Sequence, residues 1–244
     1  MAYYFVSDVH LGSQAMTEPR AVEKMFVEWL DRVADDARSI FLVGDIFDFW
    51  FEYKHVVPKG AVRVLGRLAQ LADRGIEIHF FTGNHDIWTF GYLESECGMK
   101  VHTTGEIFSL LGKQVYIGHG NELRKCQTRS YRLMNDFFHC RIAQQLFSWL
   151  LHPDLALWLG LNWSRHNRVK RKNEVRFRGE SDPIVQSILD INKKTKLDYC
   201  ILGHFHSMID FQSQEGPRII VMGDWINNPS YCVLDKQGIE LKKI

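Results

Sequence analysis

The chain has 244 residues, 45% of them hydrophobic and 24% charged, with a formal net charge of +1 at pH 7. That length suffices for a substantial core, and the near-zero charge excludes a global attraction to nucleic acid or acidic lipid. No window approaches the roughly 20 consecutive apolar residues of a membrane-spanning helix, which excludes that class as well.

The five cysteines, Cys97, Cys126, Cys140, Cys200 and Cys232, form no CxxC pair, and their odd number predicts reduced, mostly buried thiols rather than a disulfide framework. Residues 1–6 run into Ser7-Asp8 without a basic leader, a long apolar stretch or a small-residue cleavage site, so the expected location is the cytoplasm. One domain spanning residues 1–244, with an insertion, is the expected organisation.

In chain order, a first strand over residues 3–7 ends at Asp8-Val-His10. Residues 21–37 repeat apolar side chains at helical spacing (Val22, Met25, Phe26, Trp29, Leu30, Val33), and a second strand at 39–43 leads into Gly44-Asp45. Residues 60–72 are helical again until Gly75, and a third strand at 76–81 delivers Gly83-Asn84-His85-Asp86. This alternation predicts βαβ units and a mainly parallel sheet whose ligands gather at the carboxyl ends of its strands. After Gly105 the pattern changes to a hairpin, 107–110 and 115–119 about a Gly112-Lys turn, closing on Gly118-His119. The tail offers short strands at 199–202, 218–222, 231–234 and 239–243, the first of them followed by Gly203-His204-Phe-His206. One βα half and one hairpin-rich half are expected to face each other as two mixed sheets flanked by helices, an α/β (α+β) sandwich.

Between His119 and a helix beginning near Pro183 lies a stretch of about sixty residues, long against typical connections. This insertion, residues 121–182, carries one apolar stripe at Met134, Phe137, Phe138, Ile142, Leu146, Trp149 and Leu150, a break at Pro153, and a second stripe at Leu155, Leu157, Trp158, Leu161 and Trp163. A helical hairpin is predicted. Its far end is basic, with Arg165, Arg168, Lys170, Arg171, Lys172, Arg176 and Arg178 against the single acid Glu174. The commoner use of such stripes is to zip two helices together as a cap. Here the apolar residues spread round more than one face, which favours a groove for greasy chains or a membrane contact. The basic strip is too short to imply nucleic-acid binding, and no protein partner is predicted.

The candidate ligands are Asp8, His10, Asp45, Asn84, His119, His204 and His206. Oxygen donors mixed with imidazoles favour Mn²⁺, Fe²⁺, Co²⁺ or Zn²⁺ over Ca²⁺, and the lack of cysteine donors argues against a structural zinc. Seven donors suit two divalent ions about 3.5–4 Å apart that share a carboxylate. Asp45, after the central of the three early strands, is the expected bridge. Such a pair makes hydroxide available at neutral pH and neutralises phosphoryl oxygens, so hydrolysis of a phosphoester or phosphoanhydride is expected. His85 follows Asn84 directly and is the expected catalytic group, protonating the leaving oxygen or steadying phosphoryl charge, with Asp86 or Asp48 fixing its tautomer. His55, His79, His102, His139, His152 and His166 are read as surface or packing residues.

A lone Gly-Asp or Gly-His pair carries little information; five signatures in order, each after a strand, carry much more. The set resembles the calcineurin-like metallophosphoesterase family, whose pattern D-x-H, G-D, G-N-H-D/E, G-H and G-H-x-H is matched at Asp8/His10, Asp45, Asn84/His85, His119 and His204/His206. The resemblance implies an αββα sandwich and a binuclear centre, one ion on Asp8, His10, Asp45 and His206 and the other on Asp45, Asn84, His119 and His204. Ser7-Asp8-Val-His10-Leu, Gly44-Asp-Ile-Phe-Asp48-Phe-Trp50, the insertion after Gly118-His119-Gly120 and Met222-Gly-Asp-Trp225 are similar to the members of that family that cleave the pyrophosphate of UDP-2,3-diacylglucosamine in lipid A biosynthesis.

That narrower likeness implies Mn²⁺ as the first expectation for the ions and an acylated UDP-sugar as substrate. It also implies an acyl-chain lid and peripheral attachment to the inner face of the cytoplasmic membrane. Substrate contacts are then implied at Asn84, His85, Asn167, Lys170 and His204, with Ser164 one residue out of register. Two departures stand out: His85 replaces an arginine found in some of these enzymes, and Asn121 with Arg124-Lys125-Cys126-Gln127 replaces acidic residues. The alternatives are a soluble phosphodiesterase or nucleotide phosphatase of the same fold, and a non-catalytic scaffold using the lid as a partner surface.

Overall fold

The computed structural model describes residues 1–15, 18–170 and 177–244, and side chains over the same ranges except 167–170. Strands β1 (Ala2–Val6), β2 (Ala37–Val43), β3 (Glu77–Phe81) and β4 (Lys100–His102) run parallel, linked by helices α1 (Pro19–Val33), α2 (Val62–Asp73) and the single turn α3 (Tyr92–Ser95). In β2 the consecutive residues Ile40, Phe41, Leu42 and Val43 are all buried, because both faces of the sheet are covered. Ile40 and Leu42 pack with Phe26, Trp29 and Leu30 of α1, while Phe41 and Val43 turn to the opposite layer.

That opposite layer is a second sheet of β5 (Glu106–Leu110), β6 (Lys113–Gly118), β7 (Tyr199–Leu202), β8 (Ile209–Gln212) and β9 (Arg218–Val221), in the order β5-β6-β7-β9-β8. Phe5, Phe41 and Phe81 of the first sheet meet Val115, Ile117, Ile201 and Ile220 of the second. The outer face of the second sheet is closed by Ile184, Val185 and Ile188 of α7 (Pro183–Lys194). The architecture is therefore αββα, as expected.

The two halves of the sequence do not map onto the two sheets. The tail hairpin of β10 (Ser230–Asp235) and β11 (Gly238–Lys243) joins the first sheet, with β10 antiparallel to β1 (Phe5 opposite Cys232), giving the order β11-β10-β1-β2-β3-β4. Alternating hydrophobicity tells a strand which face to bury and not which neighbour to pair with; β10 covers the edge that β1 would otherwise expose.

Among the described residues the insertion holds three α-helices rather than a hairpin of two: α4 (Arg129–His139), α5 (Arg141–Leu150) and α6 (Pro153–Lys170). The first apolar stripe breaks at Cys140, which is extended (φ −70, ψ 114). The Phe138 carbonyl, which a continuous helix would spend on the amide four residues on, instead accepts from Trp88 Nε1 at 2.9 Å and Gln144 Nε2 at 2.7 Å. Among the described residues, no helix is long and apolar enough to cross a membrane. Cys97, Cys200 and Cys232 are buried thiols, Cys126 is half-buried and Cys140 is exposed.

Candidate metal centre

Five strand ends from both sheets converge on one rim: Asp8 and His10 follow β1, Asp45 follows β2, Asn84 and His85 follow β3, His119 follows β6, and His204 and His206 follow β7. The backbone is unusual there. Asp8, His10, Asp45, His204 and His206 all have positive φ, between 51 and 70, which for side chains with a Cβ costs on the order of 1 kcal/mol each. Tertiary hydrogen bonds hold the turns in place, with the Asp8 amide donating to Gly44 O and the His10 amide to Asp45 O, each at 3.0 Å. Concentrated strain of this kind accompanies functional sites. Gly83 has its own reason, since a Cβ there would sit 2.2 Å from Asp45 Oδ1.

Among the described residues three clusters result; two contain Asp45, and the third joins His10, Asp48 and His85. Asp8, His10, Asp45 and His206 bring ligand atoms within 4.8 Å of one another, as do Asp45, His119 and His204. Asp8 Oδ1 lies 3.2 Å from His206 Nε2 and 3.8 Å from His10 Nε2, and Asp45 Oδ2 lies 3.3 Å from His119 Nε2. The buried Asn84 Oδ1 takes no hydrogen bond among the described residues, an arrangement costly for a polar group unless a cation is its partner. The donor set therefore fits divalent metal; six of the seven residues expected from the sequence fall in these clusters, and Asn84 stands just after β3.

Burial alone would raise Asp8 and Asp45, yet the surrounding imidazoles hold both carboxyls below their usual range. Burial would lower His119, but Asp45 and Asp8 lift its imidazole to about 10. The carboxylates are thus ionised and available as ligands.

A second layer orients the imidazoles. His119 Nδ1 bonds the Val43 carbonyl at 2.9 Å, turning Nε2 inward. Behind His10, Nδ1 faces Asp48 Oδ1 at 3.4 Å; behind His206, Nδ1 faces Asp224 Oδ2 at 3.8 Å. Asp224 is itself fixed by the amides of Ile226 and Asn227. Sequence reasoning missed both of these roles, although Asp48 and Asp224 stand inside motifs already singled out. His85 is oriented differently from expectation: its Nδ1 bonds the main-chain carbonyl of Asp48 at 2.8 Å, and neither the Asp48 nor the Asp86 carboxylate sets its tautomer. Asp86 is occupied elsewhere, accepting from the amides of Asp45, Ile46, Phe47 and Gly83. Burial, then the neighbouring Asp45 charge, push Asp86 up to about 7. His85 Nε2 is left 3.8 Å from Asp45 Oδ2, with the side chain 15% exposed.

Ser164, on α6, is buried, and its hydroxyl donates to Asp48 Oδ1 at 2.9 Å. The side chains of Asn167 and Lys170 lie outside the described residues, as do most of the basic strip. Of the other histidines, His79 stacks on Phe41 and His102 on Phe81 as packing residues, while His55, His139, His152 and His166 are exposed. A cavity of about 190 Å³ reaches from His119 past Thr82, Asn121 and Glu122 to Asn135 and Asp136 of α4. A larger cleft of about 1180 Å³, between residues 52–57, residues 87–96 and α5, contains none of the candidate ligands.

Comparison with known proteins follows the same lines. The profile of the calcineurin-like phosphoesterase family matches residues 1–208. A protein of Porphyromonas gingivalis is 36% identical over 255 residues, covering 99% of this chain and 97% of the relative. Relatives from Edwardsiella ictaluri (28% identical, covering 99% of this chain and 91% of the relative) and Histophilus somni (27%, with 97% of each covered) are similar over their length. All three bear the name UDP-2,3-diacylglucosamine hydrolase. With the motif residues assembled on one rim and the family profile spanning most of the sequence, this chain belongs to the calcineurin-like phosphoesterase family and is a metal-dependent hydrolase.

Proposed function

We propose that this chain hydrolyses the pyrophosphate bond of UDP-2,3-diacylglucosamine, yielding UMP and 2,3-diacylglucosamine 1-phosphate in lipid A biosynthesis. The observation that carries the reading is the Asp45 carboxylate shared between two ligand clusters, in a chain similar along nearly its whole length to enzymes of that name. One divalent ion is assigned to Asp8, His10, Asp45 and His206, the other to Asp45, Asn84, His119 and His204; the mixed oxygen and imidazole donors suit Mn²⁺, Fe²⁺, Co²⁺ or Zn²⁺, and the family likeness puts Mn²⁺ first. Bound there, such ions supply Lewis acidity toward water and phosphoryl oxygens.

The chain's own groups do the rest. His85, its Nδ1 held by the Asp48 carbonyl, presents Nε2 to the reacting phosphoryl group as proton donor or hydrogen-bond donor. Asn84 and His204, beside the ions, and Asn167 and Lys170 on α6 are assigned to substrate phosphates and sugar. Ser164, whose hydroxyl already donates to Asp48, has a different task, argued below.

Residues 121–182 form a lid inserted in a single domain. Its apolar surface supports acyl-chain binding: Leu133 is 73% exposed, Ile142 69% and Trp149 86%. Such a surface also suits peripheral attachment at the inner face of the cytoplasmic membrane, where the lipid-linked substrate is found.

The test is an assay with Mn²⁺ and UDP-2,3-diacylglucosamine in detergent micelles, read by ³¹P NMR. The expected result is stoichiometric UMP and acylated sugar phosphate. Turnover of soluble diesters with none of the lipid nucleotide would favour the soluble phosphodiesterase reading instead, and no turnover of either would favour the scaffold.

A further inference from the structure

Helix α6 approaches the metal centre with its small residues and turns its large ones away. Ala156, Gly160 and Ser164 recur at four-residue spacing along one face, with Ala156 and Ser164 buried, whereas Leu155, Trp158, Leu159 and Trp163 are between 42% and 59% exposed. A Cβ added to Gly160 would come 2.2 Å from Phe49 Cδ2, so the helix backbone rests directly on the loop after β2. One turn further on, the Ser164 hydroxyl donates to Asp48 Oδ1 at 2.9 Å. That same oxygen lies 3.4 Å from His10 Nδ1, and the Asp48 main-chain carbonyl bonds His85 Nδ1 at 2.8 Å. Asp48 therefore faces two histidines of the centre, one with its side chain and one with its backbone, and the lid helix grips it.

We propose that Ser164 is a positioning residue that couples seating of the lid helix to the geometry of His10 and His85, so that the centre reaches full metal affinity only with α6 docked on the Asp48-Phe49 loop. The inference rests on the reading of His10 as a metal ligand. Asp48 is 1% exposed, and a buried carboxylate depends on the donors that surround it for both its charge and its rotamer. Loss of the group that backs a ligating histidine, here Asp48, weakens metal binding by about 10- to 100-fold, and removing one of its donors loosens that group. A serine whose task was to touch substrate would act on KM alone.

The experiment uses the full-length, metal-depleted protein titrated with Mn²⁺ and followed by the EPR signal of the free ion, with kinetics in parallel. Ser164→Ala is expected to lower the apparent Mn²⁺ affinity about tenfold and to lower kcat at saturating metal, with KM nearly unchanged. Gly160→Ala, which keeps the hydroxyl but lifts the helix off Phe49, is expected to weaken Mn²⁺ binding in the same direction. The double variant S164A/D48A is expected to bind no more weakly than Asp48→Ala alone, because both changes remove one contact. Wild-type Mn²⁺ affinity in S164A together with a raised KM would overturn the coupling and make Ser164 a substrate contact; strictly additive losses in the double variant would overturn it as well. His10→Ala separates the two levels. If that variant retains both ions, the ligand assignment fails and the coupling with it; if it loses an ion while S164A binds normally, the coupling alone fails.

Discussion

The strand-end rim and the helical lid sit side by side and are built on opposite terms. At the rim, Asp8, His10, Asp45 and His119 are each at most 2% exposed, and hydrogen bonds to the carbonyls of Gly44, Asp45 and Val43 fix three of them. In the lid, α4 and α5 contain no fully buried residue, and Trp149 is 86% exposed. The sheets satisfy their own apolar surface, and the lid does not. The difference teaches that polar chemistry can be placed with great economy inside a finished core, whereas the helical insertion leaves hydrophobic area unspent.

Substitutions should separate the two regions sharply. Asp45→Asn removes the carboxylate common to two of the clusters and is expected to cost more than the 10²–10³-fold typical of losing one preorganised group, with elemental analysis showing lost metal and melting showing an intact fold. Retention of both ions and full turnover would break the comparison at its root. His85→Gln should lower kcat by about 10²-fold with metal content unchanged; a loss of metal instead would move His85 into the ligand set.

The tryptophans offer a direct contrast. Trp50 is 2% exposed and stacks on Phe47 with ring centroids 4.3 Å apart, so Trp50→Ala should cost about 3–5 kcal/mol of stability in denaturant titrations. Trp149→Ser should change stability by less than about 0.5 kcal/mol yet raise KM for the diacylated substrate about tenfold, the equivalent of about 1.4 kcal/mol of lost apolar contact. An unchanged KM would leave the lid without its assigned partner.

The smallest effect concerns pH. Burial, then the charges of His102 and Lys100, hold the His79 imidazole down at about 4, against an ordinary 6.5. The unfolded chain therefore takes up that proton first, so this contribution is fully present above pH 6.5 and is lost as the pH falls toward 4. In chelator, Tm of the wild type should fall more between pH 7 and pH 5 than that of His79→Phe, whose ring keeps the stack on Phe41. Parallel slopes would show that His79 does not titrate differently on folding.

Much of the site was legible because its donors follow β-prone runs, and strand ends gather ligands wherever parallel strands share a sheet. Even the place of Asp45 in two clusters followed from the rank of β2 between β1 and β3. The left-handed backbone at Asp8, His10, Asp45, His204 and His206 was not legible, because Asp and His visit that region more often than most side chains yet still rarely, and tertiary hydrogen bonds decide where they do so. The break at Cys140 was hidden for a related reason: it depends on a tryptophan distant in sequence competing for one carbonyl. Ser164 showed a different limit. Its hydroxyl could face either solvent or core from the pattern alone, and only the close approach allowed by Gly160 decides that it meets Asp48. Strands as short as β4 carry too little periodicity to register at all.

The pairing of β10 with β1 orders events in the life of the molecule. The strand leading to Asp8 and His10 is synthesised early, yet its outer neighbour is made late, and the amide of Trp225 that caps the Asp8 carbonyl at 3.0 Å comes off the ribosome only shortly before that neighbour. A nascent chain can form β1, β2 and β3 and still lack the clamp on its first ligand turn. Assembly of that turn therefore waits on residues near the end of the chain, and a fragment that stops short of Trp225 lacks the amide that holds the Asp8 carbonyl.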